Sequence, residues 1–469
     1  MSFKYSAQRI SDNHYVLAKT GAMKIEGHAL LSDDLYAASE EGLWNQLVTA
    51  ASYEGVTAAY LMPDSHVGYS VPVGCVLVTD GTMVMAASGY DISCGMLLMK
   101  VEGLKADYFR NRYPRERWIT EVEKRIALGI GSHRPSGMAE FNEKTVLEVM
   151  EHGGTPLGVS PHTCERVSLP VTPGTNFKLI DKAWGKASAQ LGSLGGGNHF
   201  IELQADVFDG SLWVMIHSGS RGYGYQTAEH FFYRAADLRG MPSNRRGDAW
   251  LSFDEPLGKL YWAHHNSAAN YAIANRHTMG AMVKRVFQEQ FDADAEVYYE
   301  ISHNLIQEET LVLPDGSTRR GLVHRKGATR AFPAGHPDLA PTLRWADKGH
   351  PCIVPGSMYE GAAILTPQPG AHDWACSVNH GSGRLLARGA AKRKLEHRQD
   401  DIDGEMHDIQ RTFGGTAIEG IVGNTKHTPL DECAHVYKSL DEVLRTLESA
   451  GVAKIARRLY PLASIKGTD

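Results

Sequence analysis

Apolar positions along the chain switch between a helical period and a strand period, and the switches outline the elements. In residues 43–56, Leu43, Leu47, Val48 and Ala51 recur at helical spacing, which predicts an amphipathic helix feeding a short strand at 58–62. A polar loop, Pro63-Asp64-Ser65-His66-Val67-Gly68, separates that strand from a β-rich run at 71–78, and Asp80-Gly81 reads as a hairpin turn into an apolar β-like run at 84–87. On this reading Asp64 and Asp91 share one end of a sheet. Residues 102–130 predict a charged helix with Trp118, Val122 and Ile126 as its core stripe, whereas 131–173, rich in Gly, Pro, Ser and His, reads as an irregular connector or lid. Further strands are expected at 200–203, 212–216 and 297–301, and further helices at 226–239, 256–290 and 441–460. Within 256–290, Leu257, Leu260, Tyr261, His264 and Ala268 share a face, so His264, His265 and His277 are read as packing or surface histidines.

Polar residues that carry chemistry gather where these runs end. Gly89-Tyr90-Asp91-Ile92-Ser93-Cys94-Gly95 puts a carboxylate three residues before a thiol between glycines, so both can reach one cation. A turn-capping Asp beside an inert buried Cys would look the same. Gly195-Gly196-Gly197-Asn198-His199 exposes consecutive backbone N–H groups, a cradle for phosphate oxygens, although no Gly-Lys-Ser/Thr follows to make a P-loop. The strand at 212–216 runs into His217-Ser218-Gly219-Ser220-Arg221-Gly222, with an arginine suited to clamp an anion, and the strand at 297–301 ends in Ser302-His303-Asn304. Ser377-Val378-Asn379-His380-Gly381-Ser382-Gly383-Arg384 reads as opening a helix on which Arg384, Arg388 and Lys392 recur every four residues, which would set His380 at a helix N-terminus beside a cationic stripe. A basic hairpin around Gly327, with Arg319, Arg320, His324, Arg325, Lys326 and Arg330, reads either as a groove for a polyanion or as a solvated edge.

Composition narrows the class. The 469 residues are 42% hydrophobic and 22% charged, ordinary for a globular chain able to bury a large core. A net charge of -6 argues against a protein that coats nucleic acid, so any nucleic-acid site must be a local basic groove. The polar N-terminus and the absence of a long apolar run predict a soluble, cytoplasmic protein, and six scattered cysteines in a reducing compartment predict free thiols. The 22 histidines supply candidate metal ligands, though most are expected to pack or face solvent.

Taken together, the motifs resemble the RtcB family of RNA-splicing ligases, end to end from Met62-Pro63-Asp64-Ser65-His66 to Lys466-Gly467. The resemblance implies one α/β (mixed α+β) catalytic domain over 1–469, with a mixed central sheet, surrounding helices and motif loops converging at one end. It implies GTP- and Mn(II)-dependent joining of RNA 3'-phosphate or 2',3'-cyclic phosphate ends to 5'-hydroxyl ends, in RNA repair or tRNA splicing. Cys94 would bridge two Mn(II) ions, one completed by Asp91 and His199, the other by His217 and His303; ligand type alone equally admits zinc. His380, in the His-Gly-x-Gly-Arg motif with Gly381, Gly383 and Arg384, would be the nucleophile that takes GMP, and its mostly neutral imidazole at pH 7 suits that role. By the same carry-over Asn198 and Arg221 would hold phosphates, Glu202, Ser357, Tyr437 and Lys466 would surround guanine, and Asp64 would assist sealing.

The chain departs from the family pattern at Ser382, at Ala387-Arg388 and at Gly356-Ser357-Met358-Tyr359, positions that bear on nucleotide choice and RNA target and suggest a divergent paralogue. A metal-dependent phosphohydrolase acting on RNA ends without ligation is the rival from another class. A non-catalytic RNA-end binder would not require His380 or Cys94.

Overall fold

The computed structural model describes residues 3–131 and 142–467 and shows a mixed α+β protein most of whose strands are divided between two large sheets, with the rest in two-stranded pairs. In the seven-stranded sheet the order is Gln8–Ser11, His14–Leu17, Gly27–Leu30, Val56–His66, Val73–Thr79, Thr318–Lys326 and Asn304–Val312. The eight-stranded sheet runs Asp294–Ser302, Gly95–Lys105, Ser211–Ser218, Phe200–Asp206, Ala453–Lys466, Ala362–Pro367 and Cys352–Pro355, with Val422–Gly423 added in parallel on Ala453–Lys466. One of the crossings between the two sheets is a single residue long: His303 alone separates Asp294–Ser302 from Asn304–Val312.

Helices cover these sheets. The longest, Pro256–Phe291, starts on a proline whose missing N–H costs nothing at that position, and ends at Asp292 in a left-handed conformation. Its C-terminal half packs Met279, Val283, Val286 and Phe287 against Leu97, Met99 and Ile216 of the eight-stranded sheet. Each such side chain contributes about 1.5–3 kcal/mol by leaving water. Its N-terminal half, rich in Ala, Ser and Asn, lets other backbone approach closely. The helix Glu41–Ala50 buries Leu43, Trp44 and Leu47 as the apolar spacing predicts, but stops before Val56, which opens a strand.

Several expectations are corrected. The strand from Val56 runs on through His66, so Asp64 lies in a strand, not a loop. Met85–Ala87 is a 3-10 turn and Thr82–Met83 pairs with Leu251–Ser252, so Asp80-Gly81 closes no hairpin; an apolar run too short to show a period fits either conformation. Asp64 consequently lies in the seven-stranded sheet, whereas Asp91 and Cys94 precede a strand of the eight-stranded sheet instead of ending one. The helix anticipated over 102–130 is confined to Arg112–Glu123, though Trp118, Val122 and Ile126 are all buried. Residues 132–141 of the anticipated connector lie outside the described residues; the rest of it contains the helix Glu143–His152, whose Asn142 side chain caps Thr145 N–H. The final helix ends at Ser449, just before Gly451 at φ +67°, and is followed by the strand Ala453–Lys466, in which Pro461 disfavours helical backbone at Tyr460.

The two readings of the basic hairpin fail for its inner residues. Thr318–Lys326 is paired along its length with Asn304–Val312 and, from Leu322 to Lys326, also with Val73–Thr79, which leaves Arg320 exposed at the outer end. Arg325 is buried against Glu309 at 2.7 Å and Arg330 against Glu165 at 3.5 Å. The Lys326 ammonium donates to the Tyr69 and Val71 carbonyls, both at 2.8 Å.

Candidate active site

Strand register brings the motif residues together. Gly95 pairs with Ser218 on one side and with Ser302 on the other, and Phe200 pairs with His217. Cys94, His217, His303 and His199, each at or next to these positions, therefore share one end of the eight-stranded sheet. The donors form a continuous chain of contacts: Asp91 Oδ2 to His199 Nε2 at 3.0 Å, His199 Nε2 to Cys94 Sγ at 3.5 Å, Cys94 Sγ to His217 Nε2 at 3.2 Å, and His217 Nε2 to His303 Nε2 at 3.3 Å. Cys94 is its centre.

The surrounding groups orient these donors toward a cation. His199 Nδ1 lies 3.0 Å from the Leu194 carbonyl, which can only accept, so the ring proton belongs on Nδ1 and the Nε2 lone pair faces Asp91 and Cys94. Burial, with the other histidines adding to it, holds His217 and His303 well below the usual imidazole range, leaving them neutral. With no metal between them, burial raises the Asp91 carboxyl, but a hydrogen bond and charge from the doubly protonated His199 ring more than offset it; a bound dication would take the place of that Nε2 proton and keep the carboxylate ionised. Burial and the Asp91 charge push the Cys94 thiol well up, a shift that a bound dication would reverse. One carboxylate, one thiol and three imidazoles with lone pairs converging on one space fit a divalent metal.

Close approach restricts the loops. A Cβ on Gly195 would lie 2.0 Å from Arg221 Nη1 and 2.7 Å from His199 Nδ1, so only glycine lets the loop pass. Arg221 itself stands behind the donors, with Nε donating to Ser193 Oγ at 3.1 Å and Nη2 to the Gly129 carbonyl at 3.3 Å.

His380 reaches the same space from the other side. Contrary to the expectation of a helix N-terminus, Ser377–Asn379 is a strand paired with Ala328–Arg330, and the next helix begins only at Arg388. The His380 ring lies 4.9 Å from that of His303, and its Nδ1 is 2.7 Å from Oδ2 of Asp64, a fully buried carboxylate of the seven-stranded sheet. Gly381 N–H also donates to that oxygen at 3.3 Å, and the Lys438 ammonium holds the flanking carbonyls of Pro63 and Ser65 at 3.3 and 2.6 Å. Gly383, at φ +77°, passes so close that a Cβ there would sit 2.0 Å from the Asp64 carbonyl oxygen.

A cavity of about 320 Å³ joins these parts; Asp91, Cys94, Asn198, His217, His303, Ser357, His380, Gly381, Gly383, Arg384, Tyr437 and Lys466 all line it. Glu202 is buried beside it, accepting from Gln204 Nε2 at 2.8 Å and Ser464 Oγ at 2.9 Å. The expected cationic stripe is broken up: Arg384 is outside the helix, and Arg384 and Arg388 both meet Glu432 Oε1 at 3.3 Å while Lys392 faces Asp431 at 3.7 Å. Tyr437 Oη donates to Glu432 Oε2 at 2.7 Å, and the Lys466 ammonium, 3.6 Å from that oxygen, sits over the Phe200 ring.

Two residues absent from the sequence reading organise the site. Glu432 is the buried hub just described. Arg276, in the middle of the longest helix, donates to the carbonyls of Ser93 at 2.5 Å and Ser218 at 3.0 Å and to Ser302 Oγ at 3.2 Å, and pairs with Glu300. It thus ties down the neighbours of Cys94, His217 and His303. Asn275 next to it donates to Ser193, Ser218 and Gly219. The available signal was the run Asn266 to Arg276, whose Asn, Ser and Arg residues sit within an otherwise apolar helix interior.

Comparison with known proteins agrees with the motif resemblance. Residues 46–467 match the family described as tRNA-splicing ligase RtcB. The RNA-splicing ligase RtcB of Mycobacterium bovis is 32% identical over 451 residues, covering 90% of this chain and all of the relative. The tRNA-splicing ligases RtcB of Thermococcus kodakarensis and Archaeoglobus fulgidus are 31% and 30% identical, covering 95% and 100% of this chain and the same shares of the relatives. With a family match over most of its length and relatives aligned nearly end to end, the chain belongs to the RtcB family.

Proposed function

We propose that this protein is an RNA ligase that joins RNA 3'-phosphate or 2',3'-cyclic phosphate ends to 5'-hydroxyl ends with GTP as co-substrate, acting in the cytoplasm as one catalytic domain whose site residues run from Asp64 to Lys466. The observation that carries the reading is the His380–Asp64 pair at the mouth of a thiol-and-imidazole donor set. Asp64 accepts a hydrogen bond from Nδ1–H, which keeps the proton on Nδ1 and leaves the Nε2 lone pair as the nucleophile. Nε2 attacks the α-phosphorus of GTP, the bond to the β-phosphate oxygen breaks, and pyrophosphate leaves. An oxygen of the RNA 3'-phosphate then displaces the imidazole and takes GMP. Finally the 5'-hydroxyl attacks the activated 3'-phosphate, GMP departs, and the hydroxyl proton is lost to solvent or to Asp64. A cyclic phosphate is first opened by water.

Asp91 and His199, with Cys94, would hold one Mn(II) ion, and His217 and His303, again with Cys94, a second. Bound there, the metal supplies Lewis acidity at phosphate oxygens. Asn198 and Arg384 would hold phosphates, and Tyr437, Ser357, Lys466 and Glu202 would surround the base. Arg221 supports the Gly195 loop from behind.

Incubation with α-phosphate-labelled GTP tests this. The parent protein should retain label covalently, and His380→Ala should retain none while keeping its metal. The same variant should still seal RNA supplied with GMP already on its 3'-phosphate. Phosphate release from RNA ends with no trapped label would establish the hydrolase instead.

A further inference from the structure

A second group of soft donors lies at the root of the segment that delivers His380. One donor atom from each of His336, His372 and Cys376 lies within 4.8 Å of the other two, the same closeness at which Cys94, His199 and His217 meet. His372 Nδ1 is 3.3 Å from Cys376 Sγ. His336 is 2% exposed; its Nδ1 accepts the Asp338 N–H at 3.1 Å, and its Nε2 is buried with no hydrogen-bond partner. A lone buried imidazole nitrogen beside a thiol and a second imidazole is an unmet polar demand.

The backbone provides an independent sign. Ala375 and Cys376 are consecutive non-glycine residues in the left-handed region, at φ +47° and +46°. Such conformations persist only where the surroundings over-determine them. Here Arg325 Nη2 donates to the carbonyls of both, at 3.0 and 3.2 Å, and Ala331 N–H donates to that of Cys376 at 2.7 Å. The effect of this strained turn is to bring the Cys376 thiol against His372 and His336. The His336 ring is held in turn by stacking on Phe332 at 3.7 Å.

We propose that His336, His372 and Cys376 form a second metal site, separate from the one around Cys94, for a single borderline-soft cation of the zinc class. One thiolate and two imidazoles select zinc over the harder manganese. Zinc bonds of about 2.0–2.3 Å put tetrahedral ligands about 3.5 Å apart. The Cys376–His372 pair, at 3.3 Å, is already at that spacing, and the other two separations, each within 4.8 Å, shorten to reach it. On binding, the Cys376 thiol proton is released to solvent. Ligation through His336 Nε2 puts that ring's proton on Nδ1, so the bond from the Asp338 amide is exchanged for a coordinate bond. The fourth position is left to water, reached past the partly exposed His372. Cys376 is followed directly by Ser377–Asn379 and then His380, so the cation fixes the base of the nucleophile's strand.

The test uses the full chain, stripped with a chelator, reloaded with Zn2+ or Co2+ and freed of excess metal. Cys376→Gly removes the thiol at a position whose backbone suits glycine, and His372→Gln removes a partly exposed ligand. Both should bind one metal equivalent less than the parent, with unchanged circular dichroism, and should lose part of the thiolate-to-cobalt absorption. Cys94→Ala should keep the equivalent that depends on Cys376. Equal metal content in the parent, Cys376→Gly and His372→Gln would overturn the proposal. So would loss of the Cys376-dependent equivalent in Cys94→Ala, which would show one site instead of two.

Discussion

Replacing Arg276 by Met tests how the helix supports the site. The guanidinium is fully buried and is paired with Glu300, itself 1% exposed, and it serves the carbonyls of Ser93 and Ser218. Removing it leaves a buried carboxylate without a counter-ion, which costs about 3–5 kcal/mol. Each stranded carbonyl adds about 1–3 kcal/mol before relaxation, and these losses overlap because they share one side chain. Against a total stability of about 5–15 kcal/mol, Arg276→Met should lower the free energy of unfolding of the metal-free protein by about 3–5 kcal/mol in urea titrations. Adding Glu300→Gln removes the unpaired charge and should restore about 1–3 kcal/mol. Metal affinity should behave differently: the lost bonds hold the neighbours of Cys94 and His217, so affinity should drop about 10–100-fold in the single variant and stay low in the double. A single variant within 1 kcal/mol of the parent, or a double variant with parental metal affinity, would refute the role given to Arg276.

Three further outcomes are expected. Cys94→Ala removes the donor at the centre of the chain of contacts, so metal content measured by atomic absorption should fall and covalent GMP should vanish; normal content would disprove its central place. Arg388 is more than a third exposed and shares Glu432 with Arg384, so Arg388→Ala should weaken binding of 3'-phosphate RNA several-fold at low salt and little at high salt, and an equal loss at both would rule out a phosphate contact. His265 and His324 are held down to about 4 by burial, and both accept backbone N–H groups, from Ile306 and Val84. The unfolded chain, with imidazoles near 6.5, takes up protons first as pH falls. Stability is therefore present above about pH 6.5 and is lost toward pH 4, by about 1.4 kcal/mol per unit for each histidine. Urea midpoints that do not move over this range would contradict it.

The gathering of the motif residues at one place was legible. Asp91, Cys94, His199, His217, His303 and His380 each sit in a short motif at the end of an apolar run, and the structure brings all of them to one cavity or its wall. Long elements with a full period were legible too, as the helix Pro256–Phe291 shows. Short apolar runs were not: 84–87 has too few residues to separate a 3-10 turn from a strand, and 102–105 continues a strand because its partners, not its own pattern, decide. Proline was an overlooked signal, since Pro461 argues against any helix through Tyr460.

Charge misled the sequence reading for a related reason. Arg325, Lys326 and Arg330 look like a solvent-facing or RNA-facing set, yet Arg325 and Arg330 are buried and find Glu309 and Glu165, partners 16 and 165 residues away. A cation's environment is set by such long-range partners, which a motif does not encode. The same holds for Arg384 and Arg388, whose spacing suggested a free stripe until Glu432 drew both to one carboxylate. Under the proposed function, a phosphate entering the cavity would have to compete with Glu432 for these guanidiniums. Glu432 would then set how much of the phosphate's charge the two arginines can neutralise, because both are already drawn to one buried acid.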